Sequence, residues 1–172
     1  GLWLEEAGQS ASGALLDHIV ALHATSRELE GNPHAALVAR IGELRAQEGP
    51  AFAHGLHVLP DFHGNRSPLA DPHATGVVSG LTLDSSLDAL ARVYYRTAVA
   101  IALGTRHVLE ALNARGWRID TLHVAGGHTK NPLLMELYAD TTGCRVVAPA
   151  EDAVLLGAAM TGAVAAGLQP SL

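Results

Sequence analysis

The sequence lacks the features that define several common protein classes. It contains one cysteine, Cys144, among 172 residues, which excludes an internal disulfide and is typical of a chain in a reducing cytoplasm. Its net charge of −6, with histidine neutral, argues against a nucleic-acid groove, since such grooves need clustered lysine and arginine. The longest apolar tracts, VAIALG and AVLLGAAM, are too short to span a bilayer. We therefore expect neither a nucleic acid nor a membrane as partner.

Several enzyme signatures are also missing. The P-loop spacing GxxxxGK[ST] does not occur, because Lys130 is not followed by serine or threonine, and neither does GxGxxG. Ser10 and Ser12 lie in no GxSxG elbow, which argues against a serine hydrolase. The ten histidines come without HExxH or CxxC, so a metal-dependent enzyme would require His54 and His57 to converge with a carboxylate. We expect no metal site from this pattern.

What the chain does contain is enough apolar sequence for a buried core. Hydrophobic residues make up 48% and charged residues 16%, and the length is typical of one domain. Residue spacing predicts helices over 8–29, 31–49, 87–116, 131–143 and 152–167, and strands over 56–62, 119–127 and 144–148. Strand–helix–strand–helix order near the end indicates a layered α/β fold with parallel pairs.

Residues with capping preferences stand before three of these helices. Ser10 or Ser12 can cap the first helix, and Asp84 or Ser85 the long one. Asn32 can cap the helix over 31–49, with Pro33 in its first turn and Gly49 after its end.

A long segment without periodicity, HGNRSPLADPHATG (63–76), follows the first strand. Long ordered loops in compact domains are often functional. Arg66 can pair with a phosphate or a carboxylate there. The alternative is a solvated loop in which Arg66 pairs with Asp61 or Asp71.

The stretch HVAGGHTKN places two glycines between a strand and a helix. Gly126 and Gly127 lack a Cβ, so a ligand can approach the backbone there, and the following helix N-terminus attracts anions. Ligands of open α/β sheets bind outside the carboxyl ends of strands, which is where these glycines fall. Asn131 can cap the helix or bond a ligand, but one side-chain oxygen cannot easily do both. The alternative is a tight turn without a ligand.

Three stretches together resemble one family, the FGGY carbohydrate kinases of the sugar kinase–Hsp70–actin superfamily. They are WLEEAGQSASGALLDHI, LPDFHGNRSPLADPHATGVVSGLTLDSS and VAGGHTKNPLLMELYADTTGCRVVAPAEDAVLLGAAMTGAVAAG. The segment DFHGNRSPLADP, together with AGQSA, is similar to the corresponding segments of the ribulokinase-like branch, whose members phosphorylate pentuloses such as D-ribulose. The resemblance implies an actin-like ATPase (ribonuclease H-like) fold, a sheet flanked by helices, with ATP and Mg²⁺ as cofactors of the intact enzyme.

The resemblance also implies roles for particular residues. The backbone of Gly126 and Gly127 would run along the adenosine and α-phosphate, and Asn131 would lie near the adenine edge. Gly8 and Gln9 would face the nucleotide from the other side of the cleft. Arg66 would lie near the substrate cleft between domains. Ala7 departs from the family, where a glycine pair is common at this point.

A larger departure concerns the catalytic parts. The family's DxGT phosphate loop does not occur, so we assign the catalytic base to no aspartate of this chain. We expect residues 1–172 to be the C-terminal nucleotide-binding domain of a cytoplasmic sugar kinase, without its N-terminal sugar-binding domain and inactive alone. Its exposed domain face should be apolar and could promote a homo-oligomer. The alternative function is a non-catalytic interaction module on the same fold.

Overall fold

A computed structural model describes residues 4–150 and 152–171. Within them the helices are α1 (Gly13–Leu22), α2 (Pro33–Glu48), α3 (Leu87–Asn113), α4 (Pro132–Thr142) and α5 (Ala153–Ala165). The strands are β1 (His57–Leu59), β2 (Val77–Ser79), β3 (Thr121–His123) and β4 (Arg145–Val147). Short 3-10 turns cover Ala24–Glu28, Gly49–Ala51 and Gly126–Lys130.

Helix α3 forms the centre of the core. Its apolar residues recur at helical spacing, and Leu90, Tyr94, Ala98 and Ile101 are all 0% exposed. The small side chains on this stripe let neighbouring helices approach closely, and α1, α2 and α4 all pack against α3. The predicted long helix with a closely packed stripe is thereby confirmed.

The capping predictions succeed for α2 and need correction elsewhere. The Asn32 side chain accepts hydrogen bonds from the backbone N–H groups of His34 (3.0 Å) and Ala35 (3.4 Å), as expected. The cap of α3 is Ser86, whose hydroxyl accepts from the Ala89 N–H at 3.2 Å, and not Asp84 or Ser85. Asp84 instead accepts from the Ser86 N–H, which fixes the cap residue itself.

The first helix is shorter than predicted. It ends at Leu22 because His23 takes an extended backbone conformation, and a 3-10 turn follows where the helix was expected to continue. Ser12 is the N-cap residue, but its side chain makes no capping bond. The Ser12 hydroxyl instead contacts His128.

The strands form two separate pairs in the part of the chain that is described. Strands β3 and β4 are parallel, with Leu122 opposite Val146, which confirms the predicted parallel pairing. Strands β1 and β2 are antiparallel, with Val58 opposite Val78, and β2 was not predicted. The segment 60–76 therefore connects two paired strands.

Helix α5 carries apolar residues that are exposed. Val154 and Leu155 are 71% and 69% exposed, and no described residue of α5 is buried. Helix α5 is therefore a candidate for the expected apolar domain face, and both that assignment and self-association stay predictions. None of the described helices combines the length and apolar character that a membrane span requires.

Two glycines provide a matched test of these packing contacts. Gly80 has φ +88°, and a Cβ added there would lie 1.9 Å from the Gly55 carbonyl oxygen, whereas a Cβ at Gly42 in α2 meets nothing within 4 Å. Gly80→Ala should lower the free energy of unfolding by roughly 2–4 kcal/mol. Gly42→Ala should raise it by about 0.5–1 kcal/mol, through better helix propensity. Urea unfolding followed by circular dichroism measures both, and equal stabilities of the two variants would contradict the packing described.

Candidate functional site

The turn that carries the two glycines joins β3 to α4. Gly126 has φ +78°, a left-handed conformation that favours glycine, but Gly127 does not have a positive φ. A Cβ added at either residue would meet nothing within 4 Å. Neither backbone conformation nor protein packing therefore explains the glycine at position 127. Open space in front of this backbone is what an approaching ligand would need.

A cavity of about 520 Å³ lies beside this turn. Its walls come from α1, the start of α2, α3 and the turn before α4. The polar lining consists of Asp17, Asn32, His34, Tyr94, His128, Lys130 and Asn131. Apolar lining comes from Leu16, Val38 and Leu134, among others. An apolar cavity with a few polar groups is typical of small-molecule sites.

A chain of hydrogen bonds crosses one wall of the cavity. The Asn131 Nδ2 donates to the Tyr94 hydroxyl at 3.1 Å, and the same hydroxyl lies 2.9 Å from His34 Nδ1. His34 Nε2 lies 2.9 Å from the Asp17 carboxylate. Burial raises the pKa of Tyr94 to about 12, so the phenol keeps its proton at neutral pH. We name these four residues, Asp17, His34, Tyr94 and Asn131, the relay.

Asn131 uses its oxygen for the helix. Its Oδ1 accepts from the Leu134 N–H at 3.3 Å, which makes Asn131 the cap of α4. The oxygen therefore caps the helix, which is one of the two roles, capping or ligand binding, that the sequence left open for Asn131. One hydrogen of the amide nitrogen remains after the bond to Tyr94, and this hydrogen can serve a ligand.

His128 holds the turn from the other side. Its Nε2 lies 3.1 Å from the Ser12 hydroxyl and its Nδ1 lies 3.1 Å from the Tyr138 hydroxyl, so it ties the turn to α1 and α4. Burial lowers the pKa of His128, which favours the neutral ring. Sequence reasoning missed His128, His34 and Asp17, although the two histidines stand within a few residues of predicted helix starts.

The other predicted residues lie elsewhere. Gln9 Nε2 donates to the Ile101 carbonyl and to the Thr105 hydroxyl, both at 2.9 Å, on α3. A Cβ at Gly104 would lie 2.6 Å from Gln9 Oε1, so this glycine makes room for the glutamine. The Gly8 N–H donates to the Ser67 hydroxyl at 3.3 Å.

Arg66 pairs with a carboxylate that the sequence did not indicate. Its partner is Glu6, and neither Asp61 nor Asp71, the two partners considered, takes that place. Asp61 instead accepts from the Asn65 side chain at 3.0 Å.

Four of the six predicted residues line two separate cavities, and Gly8 and Gly126 line neither of them. Gly127 and Asn131 line the larger one, whereas Gln9 and Arg66 line a second cavity of about 280 Å³ on another part of the surface. A nucleotide role for Gly8 and Gln9, and a cleft role for Arg66, stay predictions.

Across residues 4–150 and 152–171, no group of three or more His, Cys, Asp or Glu side chains is placed to hold a metal ion, and His54 and His57 belong to none.

The burial of His128 leads to a prediction about pH. The unfolded chain takes up this proton near pH 6.5, and the folded chain only at lower pH, because burial lowers the pKa of His128. The stability that the neutral ring provides is thus complete above pH 6.5 and is lost as the pH falls through the folded pKa. As the pH is lowered from about 7.5 to about 5, the Tm of His128→Gln should therefore fall less than the Tm of the wild type. Thermal unfolding at several pH values measures this, and parallel Tm curves would contradict it.

Comparisons with known proteins agree on one family. A family model described as the C-terminal domain of the FGGY family of carbohydrate kinases matches residues 1–166. An FGGY carbohydrate kinase domain-containing protein of Xenopus laevis is 49% identical, over 100% of this chain and 33% of the relative. D-ribulokinase of Saccharomyces cerevisiae is 34% identical, over 96% of this chain and 25% of the relative. The chain thus spans a quarter to a third of the length of these relatives.

A solved structure shows the same fold. The crystal structure of xylulose kinase from Rhodospirillum rubrum superposes with a TM-score of 0.59 and 30% identity, covering 80% of this chain and 26% of that one. The predicted fold class, a partial actin-like ATPase fold, is confirmed by this likeness. Since the family model also matches almost every residue, the chain belongs to the FGGY family of carbohydrate kinases, in which it corresponds to the C-terminal domain.

Proposed function

We propose that residues 1–172 form the ATP-binding half of a carbohydrate kinase, which transfers the γ-phosphoryl group of ATP to a sugar hydroxyl. The observation that carries this proposal is the open space before Gly126 and Gly127, beside a cavity of about 520 Å³. The adenosine would occupy this cavity, and the α-phosphate would pass along the glycine backbone. Lys130, which also lines the cavity, would offset phosphate charge.

The donor set of the cavity fits a nucleotide. Apolar walls suit a base, the free amide hydrogen of Asn131 suits a ring nitrogen, and Lys130 suits a phosphate. We assign Mg²⁺ to no residue of this chain. The ion would arrive with the nucleotide phosphates, which is how Mg²⁺ commonly binds in kinases, and would neutralise charge on the transferred group.

For the substrate we propose a pentulose such as D-ribulose. Two similar proteins, named D-ribulokinase and xylulose kinase, support this class of sugar. We place no sugar contact or catalytic base in this chain, and Arg66 stays our candidate at the substrate cleft. We also propose a cytoplasmic location, with which the free and buried Cys144 is compatible.

A second candidate function is a non-catalytic interaction module. The exposed apolar residues of α5, Val154 and Leu155 among them, favour it, because such surfaces mark contacts between proteins. A module of this kind would not bind adenine nucleotides, so titration with ADP separates the two functions.

Substitution of Gly127 tests the nucleotide proposal. Because Gly127 has no positive φ and faces open space, Gly127→Val should fold normally but place methyl groups where the ligand would lie. We expect ADP affinity, measured by isothermal titration calorimetry, to fall at least about tenfold, which corresponds to about 1.4 kcal/mol. Gly42→Val, the same change in open space on α2, is the control and should bind ADP as the wild type does. Equal affinities of the two variants would contradict the proposed site.

The chain alone should not catalyse phosphoryl transfer. Positioning and charge stabilisation in this reaction require groups from both halves of the cleft. A coupled assay of ADP release with Mg-ATP and D-ribulose or D-xylulose should therefore stay at background. Sugar-dependent turnover by this chain would show that it holds a catalytic base that we have not assigned.

A further inference from the structure

We propose that Asp17 and His34 are a positioning pair that fixes, through the buried Tyr94 hydroxyl, the orientation of the Asn131 amide and so the hydrogen-bond group that the cavity offers to a ligand. The inference rests on the proposed nucleotide-binding function, and it assigns to the site two residues that do not belong to the glycine motif.

Each hydrogen bond in the relay determines the direction of the next. A carboxylate only accepts hydrogen bonds, so the His34 Nε2, 2.9 Å from Asp17, must carry a hydrogen. We take His34 in the neutral form, in which Nδ1 accepts and the Tyr94 hydroxyl, 2.9 Å away, donates to it. The Tyr94 oxygen can therefore only accept from Asn131, which turns the amide nitrogen of Asn131 towards the tyrosine.

Loss of His34 would remove the group that determines the direction of the Tyr94–Asn131 hydrogen bond. The Tyr94 hydroxyl, which is 0% exposed, would keep a hydrogen without an acceptor. A flipped Asn131 amide could accept that hydrogen, but its oxygen would then leave the Leu134 N–H that it caps. An unsatisfied buried hydroxyl costs more free energy than a lost helix cap, so the flipped orientation would become the major one and the original orientation the minor one.

The orientation of Asn131 matters for a nucleotide. In the orientation that the relay fixes, the remaining amide hydrogen is a donor, which matches an accepting ring nitrogen of a base. In the flipped orientation the same site no longer offers this donor. A ligand that binds only one of two populated orientations loses affinity in proportion to the fraction of that orientation, which predicts a loss on the order of three- to tenfold.

The position of His34 makes it a good residue for a test. Its backbone N–H is held by the Asn32 cap at 3.0 Å, and its side chain is 32% exposed at the rim of the core. A substitution there should leave the packing of the buried stripe of α3 in place. His54 is an exposed histidine that lines a different cavity and serves as the matched control.

The first experiment is a double-mutant cycle on ADP affinity, measured by calorimetry with His34→Leu, Tyr94→Phe, the double variant and His54→Leu. We expect His34→Leu to weaken ADP binding on the order of three- to tenfold, and His54→Leu to have no effect. In the Tyr94→Phe background, His34→Leu should have no further effect, because His34 acts only through the hydroxyl. The same loss in both backgrounds, or none in the wild-type background, would overturn the inference.

A second readout does not need a ligand. The side-chain amide signals of Asn131 in a proton–nitrogen correlation spectrum report its hydrogen bonding in the free chain. His34→Leu and Tyr94→Phe should both shift these signals, and His54→Leu should not. Unchanged Asn131 signals in His34→Leu would overturn the relay even if ADP binds normally. If the wild type does not bind ADP, the proposed function fails, and this spectrum alone decides whether the relay exists.

Discussion

The hydroxyl group of Tyr94 is polar and completely buried, so it must find its partners inside the protein. It finds His34 on α2 and Asn131 before α4, and His34 in turn reaches Asp17 on α1. One buried phenol thus connects all four helices of the core. Leaving such a group unsatisfied costs about 1–3 kcal/mol, a large share of the roughly 5–15 kcal/mol that stabilises a typical domain. The same bonds line the candidate nucleotide cavity, so stability and the shape of the site depend on each other.

The two sides of the glycine turn are held by different kinds of contact. Asn131 anchors one end through a helix cap, and His128 anchors the middle through two hydroxyl groups. Gly126 and Gly127, which precede both of these residues in the chain, have no neighbours within reach of an added Cβ. A turn that is fixed at its anchors and empty in front of its glycines suits a ligand that binds the backbone, because little ordering is left for the binding step.

Local signals in the sequence predicted local structure well. The Asn32–Pro33 start of α2 and the stripe of α3 depend on residues a few positions apart, and both are present. The glycine turn, too, could be found as a candidate from its pattern. The sequence gives no comparable signal for contacts between distant residues, such as Arg66 with Glu6 or His34 with Tyr94, each 60 residues apart. The pairing of β2 with β1 belongs to the same class, since three residues are too few for a periodic pattern.

The relay also bears on the order in which the chain folds. Its members stand at positions 17, 34, 94 and 131, so closing it brings together parts of the chain that are far apart in sequence. Helices can form early from local contacts, but contacts of this separation require closure of long loops and are slow to form. The relay is complete only when the last of the four helices has docked. The candidate nucleotide cavity is therefore among the latest parts to form, and an intermediate with formed helices would still lack it.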